Sequence, residues 1–492
     1  MKKEKFAFKI WWQTAGEEEI QASYAFCDDY TRFLNDCKTE REVADYTQNE
    51  LKKQGFQDLD QLLADLPAGG FCRLKPGDKI YRIIHHKAVL AAIIGQKPAQ
   101  DGMNIVASHI DSPRLDFKQT PLYEDTNLAL AKTHYYGGIK KYQWVTIPLA
   151  IHGTVILKDG AKVKINIGDK EGDPCFVITD LLPHLAQNQM VKKANEVVTG
   201  EGLNVLLGSL PLAEEAEEEA KAEKAGGAEA DKPKYGADPV KANLLRLLEE
   251  NYGVAEDDLI SAEMEVVPAM AARDVGLDRS MVGGYGQDDR VCSYAALQAF
   301  LELTGVPERT AMIYFSDKEE VGSQGNTGAQ STALSNFIAE ICAGSSENYN
   351  DLLTRRCFCN TALLSADVSA AVDPNYKEAQ DQLNANYLGK GIVLEKYTGA
   401  RGKSGANDAN PEFLAELRRI FDEEQISWQN GELGKVDLGG GGTVALFMAN
   451  LGMQVVDCGT PILSMHSPFE VTGKGDIYNT YRAYKAFFEK YR

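Results

Sequence analysis

The sequence predicts an α/β fold, with a central mixed sheet flanked by helices and a second, β-rich domain inserted into it. Three observations predict this. Short apolar runs recur along the chain, as in strands buried on both faces. Segments with apolar residues at helical spacing lie between them. One long stretch instead alternates β-branched and aromatic residues with glycine turns.

The expected buried strands are Met103–Ala107, Thr310–Phe315, Thr361–Ser365 and Val455–Cys458. The segment Asp288–Leu303 has helical periodicity and stops at Gly305 and Pro307; Pro411–Phe421 is a second helix. From about Thr120 to Gly168, TIPLAIHGTVIL and AKVKINIG are separated by Lys158–Gly160, a pattern of antiparallel hairpins. Residues 1–113 and 266–492 are accordingly expected to form the α/β domain, and 114–265 the β-rich one. Within the latter, 213–232 (AEEAEEEAKAEKAGGAEADK) is charged, of low complexity and expected to be a flexible loop.

At 492 residues the chain exceeds what one core normally fills. Its net charge of −20 argues against nucleic acid as a partner, because phosphate binding needs clustered Lys and Arg. Eight acidic residues against two lysines between Glu214 and Asp231 account for −6 of that charge. The longest aliphatic run, Val89–Ile94, is too short to span a bilayer, and Lys9 and Glu17–Glu19 interrupt any leader-like stretch. No membrane association and a cytoplasmic location are expected. Nine cysteines without a CxxC pair are expected to be reduced thiols, mostly buried or inert.

Polar residues follow the apolar runs. After MNIVA come Ser108, His109, Ile110 and Asp111; after TAMIYF come Ser316, Asp317, Lys318, Glu319 and Glu320; after TALLS come Ala366 and Asp367. Ligands in open α/β sheets collect beyond the carboxyl ends of strands. Asp288, at the start of a helix, and His466 complete a set of two imidazoles and three carboxylates. Gathering these with the further carboxylates beside them would cost several kcal/mol unless a cation neutralised them. A His–carboxylate set suits zinc, with cobalt or manganese as alternatives. Each piece also has a plainer reading: His109 and Asp111 as a structural hydrogen bond, Glu319 and Glu320 as a solvated helix start, Asp288 and Asp289 as a helix cap. Joint placement at strand ends favours the metal. His85, His86, His134 and His152 lie in or near strand-like segments and are expected to be structural or on the surface.

ASHIDSPRLD (107–116), GQDDRV (286–291), SDKEEVGS (316–323), SADVSAAVDPNY (365–376) and SMHSPFE (464–470) resemble the aminopeptidase I/aspartyl aminopeptidase family, family eighteen of the metallopeptidases. THYYGGIKKYQW (133–144), LLPHLA (181–186) and KVDLGGGGT (435–443) extend the resemblance over nearly the whole chain. It is closest to the bacterial aminopeptidase 1 branch, and the acidic insertion is the main departure.

The resemblance implies a zinc-peptidase domain and an inserted dimerisation domain, with homodimers assembled into a tetrahedral dodecamer. It implies two zinc ions per subunit: His109 and Asp367 on one, Glu320 and His466 on the other, and Asp288 as the bridge, with Asp289 as the fallback. Asp111 would orient the His109 ring, Glu319 would be the general base, and His184 would reach a neighbouring subunit's site. The implied activity is release of N-terminal residues from peptides, neutral or apolar ones by the aminopeptidase 1 likeness. The rivals are an acidic preference, for which Arg401 and Lys403 could supply contacts, and an N-acyl amino-acid deacylase on the same fold. A non-catalytic assembly protein is the remaining alternative, against which the complete ligand set speaks.

Overall fold

The computed structural model describes residues 9–64, 66–67, 70–213 and 238–492. The loop expected at 213–232 therefore lies, apart from Ala213, outside the described residues. The chain divides into two compact units. One comprises Met1–Ser112, Ala272–Met465 and Phe469–Arg492; the other comprises Pro113–Ala271 and His466–Pro468.

A nine-stranded sheet forms the centre of the first unit. In spatial order its strands are Gln57–Asp58, Lys79–Ile84, Ala88–Ile93, Thr310–Ser316, Met103–His109, Ala362–Ser365, Gln454–Gly459, Ile392–Glu395 and Trp428–Asn430. The four from Thr310–Ser316 to Gln454–Gly459 run parallel, and antiparallel pairs flank them. The sheet is therefore mixed, as expected.

Alternation along these strands explains why they are apolar throughout. Val106, Ile313, Leu364 and Val456 point into one core, which also contains Phe33, Leu297, Leu417 and Phe487 from four helices. Their neighbours Ile105, Met312, Leu363 and Val455 point into the other core, with Phe337, Phe358 and Met448. A strand covered by helices on both faces has no polar side to show.

Local signals set the helices. Glu40–Lys53 begins with a capping box, in which Thr39 Oγ1 accepts the Glu42 amide at 3.3 Å and Glu42 Oε2 accepts the Thr39 amide at 3.2 Å. Pro411–Glu423 opens on proline, whose missing N–H costs nothing there. The helix Gln287–Leu301 is different: Asp288 (φ −81°, ψ 106°) and Asp289 (φ −117°, ψ 35°) are not helical, and their mutual peptide bond is cis.

A five-stranded sheet in the same unit joins Arg273–Val275, Met281–Gly284, Glu470–Gly473, Pro461–Leu463 and Ser369–Ala370. It fixes the chain just before Asp288 and just after Asp367.

The second unit is built on a six-stranded antiparallel sheet, ordered Lys162–Ile167, Leu149–Ile156, Glu263–Pro268, Arg114–Asp125, Leu128–Tyr136 and Val205–Gly208. This is the β-structure expected between Thr120 and Gly168. Among the described residues no helix is long and apolar enough to cross a membrane, and no disulfide joins the nine cysteines.

Candidate metal centre

In the central sheet Ser316 is registered against His109, and Ser365 against Ala107. Parallel pairing thus brings three strand ends to one edge, and the residues after them follow into the same space. His109 is the last residue of its strand. Glu319 and Glu320 occupy a single turn, Glu319–Val321, entered through Lys318 at φ 67°. Asp367 lies two residues beyond Ala362–Ser365.

His109 is buried at the centre of this group. Its Nε2 lies 3.1 Å from Asp288 Oδ1, 3.8 Å from Asp367 Oδ1 and 4.0 Å from Glu319 Oε2. On the other side of the ring Nδ1 is 3.0 Å from the Asp111 carbonyl oxygen and 3.3 Å from Asp111 Oδ1. A carbonyl only accepts, so Nδ1 donates and Nε2 is turned towards the carboxylates. Ligand atoms of His109, Asp288 and Glu320 lie within 4.8 Å of one another, as do those of His109, Asp289 and Asp367.

Asp111 does more than face the ring. Its Oδ1 accepts the Glu319 amide at 3.1 Å and its Oδ2 the Glu320 amide at 3.2 Å. Asp288 is held by its backbone: Ser112 Oγ donates to its carbonyl at 2.7 Å, and its amide donates to Glu470 Oε2 at 3.2 Å. Ser108 Oγ donates to Asp289 Oδ2 at 2.8 Å. Sequence reasoning passed over Ser108, Ser112 and Glu470 as individuals. Their only signal was position, since each lies inside one of the motif segments.

The electrostatics test whether a cation fits here. Burial pulls the His109 pKa down, yet hydrogen bonds to Asp111, Asp288 and Asp367 prevail and hold it well above the usual value. Burial pushes Glu319 up to about 8; His109 opposes this, while Asp367, Asp288 and Asp111 add to it. Asp289 is also held well above the carboxylate range, by burial first and by Asp367 next. The cluster thus takes up positive charge from protons when nothing else supplies it. Carboxylates and one imidazole are a donor set suited to zinc, and a dication would meet this demand. The residues present fit the metal.

The remaining candidates lie in the second unit. His466, at φ 63°, has Nδ1 2.9 Å from the Gly138 carbonyl, so that nitrogen carries the proton. A β-carbon on Gly138 would come within 3.3 Å of this ring. His184 is exposed on the turn Pro183–Leu185. The plain readings of other histidines hold: His152 is buried with Nε2 2.6 Å from Asp169, and His85 and His86 form a turn at positive φ.

Comparison with known proteins follows the same lines. The family described as aminopeptidase I zinc metalloprotease (M18) matches residues 33–488. A probable M18 family aminopeptidase 1 of Clostridium acetobutylicum is 47% identical over 480 residues, 98% of each chain. The crystal structure of an M18 family aminopeptidase from Thermotoga maritima superimposes with a TM-score of 0.87 at 42% identity, covering 99% of this chain and 100% of that one. The mApe1 dodecamer of S. cerevisiae shares the fold at 19% identity and a TM-score of 0.73, over 96% and 98% of the two chains.

Proposed function

Since the chain belongs to the aminopeptidase I zinc metalloprotease family (M18), we propose that the cluster around His109 is its catalytic centre and holds two zinc ions. Membership makes the protein a zinc aminopeptidase, a hydrolase. The observation that carries the assignment of residues is the approach of Asp288, Asp367 and Glu319 to one buried imidazole nitrogen.

His109 and Asp367 would hold one ion, Glu320 and His466 the other, and Asp288 both. Bound zinc supplies a Lewis acid that acidifies water and polarises a carbonyl. Glu319 takes the proton of the attacking water and delivers it to the departing amine. Asp111 orients His109 and steadies the turn bearing Glu319 and Glu320. His184 contributes a hydrogen bond to the oxyanion.

Residues 114–265, which fall within the second unit, are taken as a dimerisation domain between peptidase segments 1–113 and 266–492. Its apolar exposure supports this. Leu185, Met190 and Val191, near His184 in the chain, are 67%, 76% and 85% exposed and offer apolar area for a partner to cover. A second copy of the chain covering this strip would bring His184 to a neighbouring site. The assembly is taken as homodimers within a tetrahedral dodecamer; the S. cerevisiae mApe1 structure of the same fold is a dodecamer. The substrates are peptides, released residues are neutral or apolar, and the protein works in the cytoplasm.

Metal analysis combined with hydrolysis of a leucyl peptide and its N-acetylated form tests the reading. Two zinc ions per chain and cleavage of the free amine alone are expected. Preference for the acetylated form would make the protein a deacylase instead.

A further inference from the structure

We propose that a cavity of about 390 Å³ between two glycine-rich loops binds the free C-terminal carboxylate of short peptide substrates, with Arg401 and Lys435 as its recognition groups. The inference rests on the aminopeptidase reading and adds the substrate's far end to it.

The cavity is cationic in an acidic chain. Arg401, Lys403 and Lys435 line it, against one acid, Glu432, while the whole protein carries −20. Two of these four charges are engaged. Lys403 Nζ is 3.0 Å from Asp408 Oδ2 and stacks 3.6 Å from the Tyr397 ring centre. Glu432 faces the Tyr397 hydroxyl, whose pKa it holds up. Among the described residues no carboxylate lies within 4 Å of Arg401 or Lys435. A guanidinium and an ammonium on facing loops form a receptor for a carboxylate.

The walls are packed against each other. The Gly399 amide donates to the Gly441 carbonyl at 2.7 Å, and a side chain on Gly440 would collide with the Gly399 carbonyl. Thr443 Oγ1, at the end of the glycine run, donates to the buried Asp457 Oδ1 at 2.6 Å and so fastens the loop to the central sheet. A volume in this range suits a small ligand or the end of a larger one.

A short path of chain links the cavity to the cluster. Buried Glu395, at the end of Ile392–Glu395, accepts a hydrogen bond from Ser369, two residues beyond Asp367. Tyr397, two residues beyond Glu395, lines the cavity. The cluster is committed to the amino end of the substrate, so the anion a short peptide can present nearby is its own C-terminus. An acidic first side chain would be the other source, but the proposed preference for neutral or apolar first residues disfavours it.

The test compares kcat/KM for leucyl peptides from dipeptide to tetrapeptide as free acids and as C-terminal amides, using the zinc enzyme, Arg401→Gln, Lys435→Gln, the double variant and Arg401→Lys. Charge-assisted hydrogen bonds predict a preference for the free acid of about 10-fold or more at the best length. The double variant should bring the acid-to-amide ratio close to one, and Arg401→Lys should keep part of it. Equal turnover of acid and amide by the unaltered enzyme overturns the proposal, and so does an acid preference that survives the double substitution. Aspartyl and glutamyl peptide amides are assayed alongside, and a loss in the variants confined to these amides overturns it in favour of the first side chain. Failure of the unaltered enzyme to cleave any of these peptides or leucine p-nitroanilide strikes the aminopeptidase reading itself.

Discussion

Asp111 Oδ1 accepts the backbone amide of Glu319 at 3.1 Å, while the same carboxylate lies 3.3 Å from His109 Nδ1. One side chain thereby couples the ring of the central histidine to the turn that carries the proposed base. Replacing Asp111 by Ala should lower zinc affinity about 10–100-fold, as loss of a histidine's supporting carboxylate does elsewhere. It should also lower kcat under saturating zinc, because the Glu319 turn loses two anchors. Calorimetric zinc titration and steady-state kinetics would check both. Unchanged values for both would deny Asp111 its role.

Glu319 is spared as a ligand in the proposed arrangement and kept for proton transfer. Glu319→Gln preserves size and hydrogen bonding but cannot accept the proton. Turnover should fall by about 10²–10⁴-fold with zinc content unchanged. Retention of most activity in a zinc-replete sample would remove the base assignment.

Asp288 and Asp289 separate two explanations of the same dipeptide. Asp288 Oδ1 faces His109 Nε2 at 3.1 Å, whereas Asp289 Oδ2 is already hydrogen-bonded by Ser108. Asp288→Ala should therefore lose zinc as well as activity. Asp289→Asn should keep both ions, with a smaller effect on turnover. Metal analysis of the purified variants decides, and the reverse pattern would make Asp289 the bridge.

How far these residues were legible in the sequence follows from what sets each of them. Strands such as Met103–His109 and Thr310–Ser316 are covered on both faces, so unbroken apolar runs announced them and the polar residues just beyond announced the edge. The small sheet was not legible. Ser369–Ala370, Arg273–Val275 and Pro461–Leu463 are too short to show a period of two, and their pairing depends on distant partners. Glu470 and Ser112 act through backbone atoms of Asp288, a contact that no spacing rule reveals. Asp288 and Asp289 read as a helix start, but their dihedrals depart from the helix.

His184 tests assembly and catalysis together. If a neighbouring subunit supplies it, His184→Ala should lower turnover without removing zinc. Mixing that variant with Glu319→Gln, after dissociation and reassociation, should restore a fraction of the activity. Some mixed dimers then hold one site with both residues intact. Absence of any recovery in a sample shown to contain mixed oligomers would place His184 outside the partner's site.

Asp476 offers a pH test away from the metal cluster. Its carboxylate is buried and accepts the amides of Gly389 and Gly391, each at 2.7 Å. Burial nevertheless prevails over these donors and pushes its pKa up to about 7. An unfolded aspartate titrates near about 3.9, so between about pH 4 and 7 the folded state holds a proton that the unfolded state has lost. Stability from this group is complete below about pH 4 and is lost as pH rises towards 7, at about 1.4 kcal/mol per pH step. Asp476→Asn cannot titrate, but its amide opposes one backbone N–H, which costs about 1 kcal/mol at all pH values. The variant should therefore gain on the unaltered protein by about 2 kcal/mol between pH 5.5 and 7, and by little above that. Thermal midpoints at fixed protein and zinc concentrations would show the variant's lead over the unaltered protein widening across this interval. Parallel midpoint curves for the two proteins across that interval would mean that Asp476 is ionised in the fold throughout, with the two glycine amides outweighing its burial.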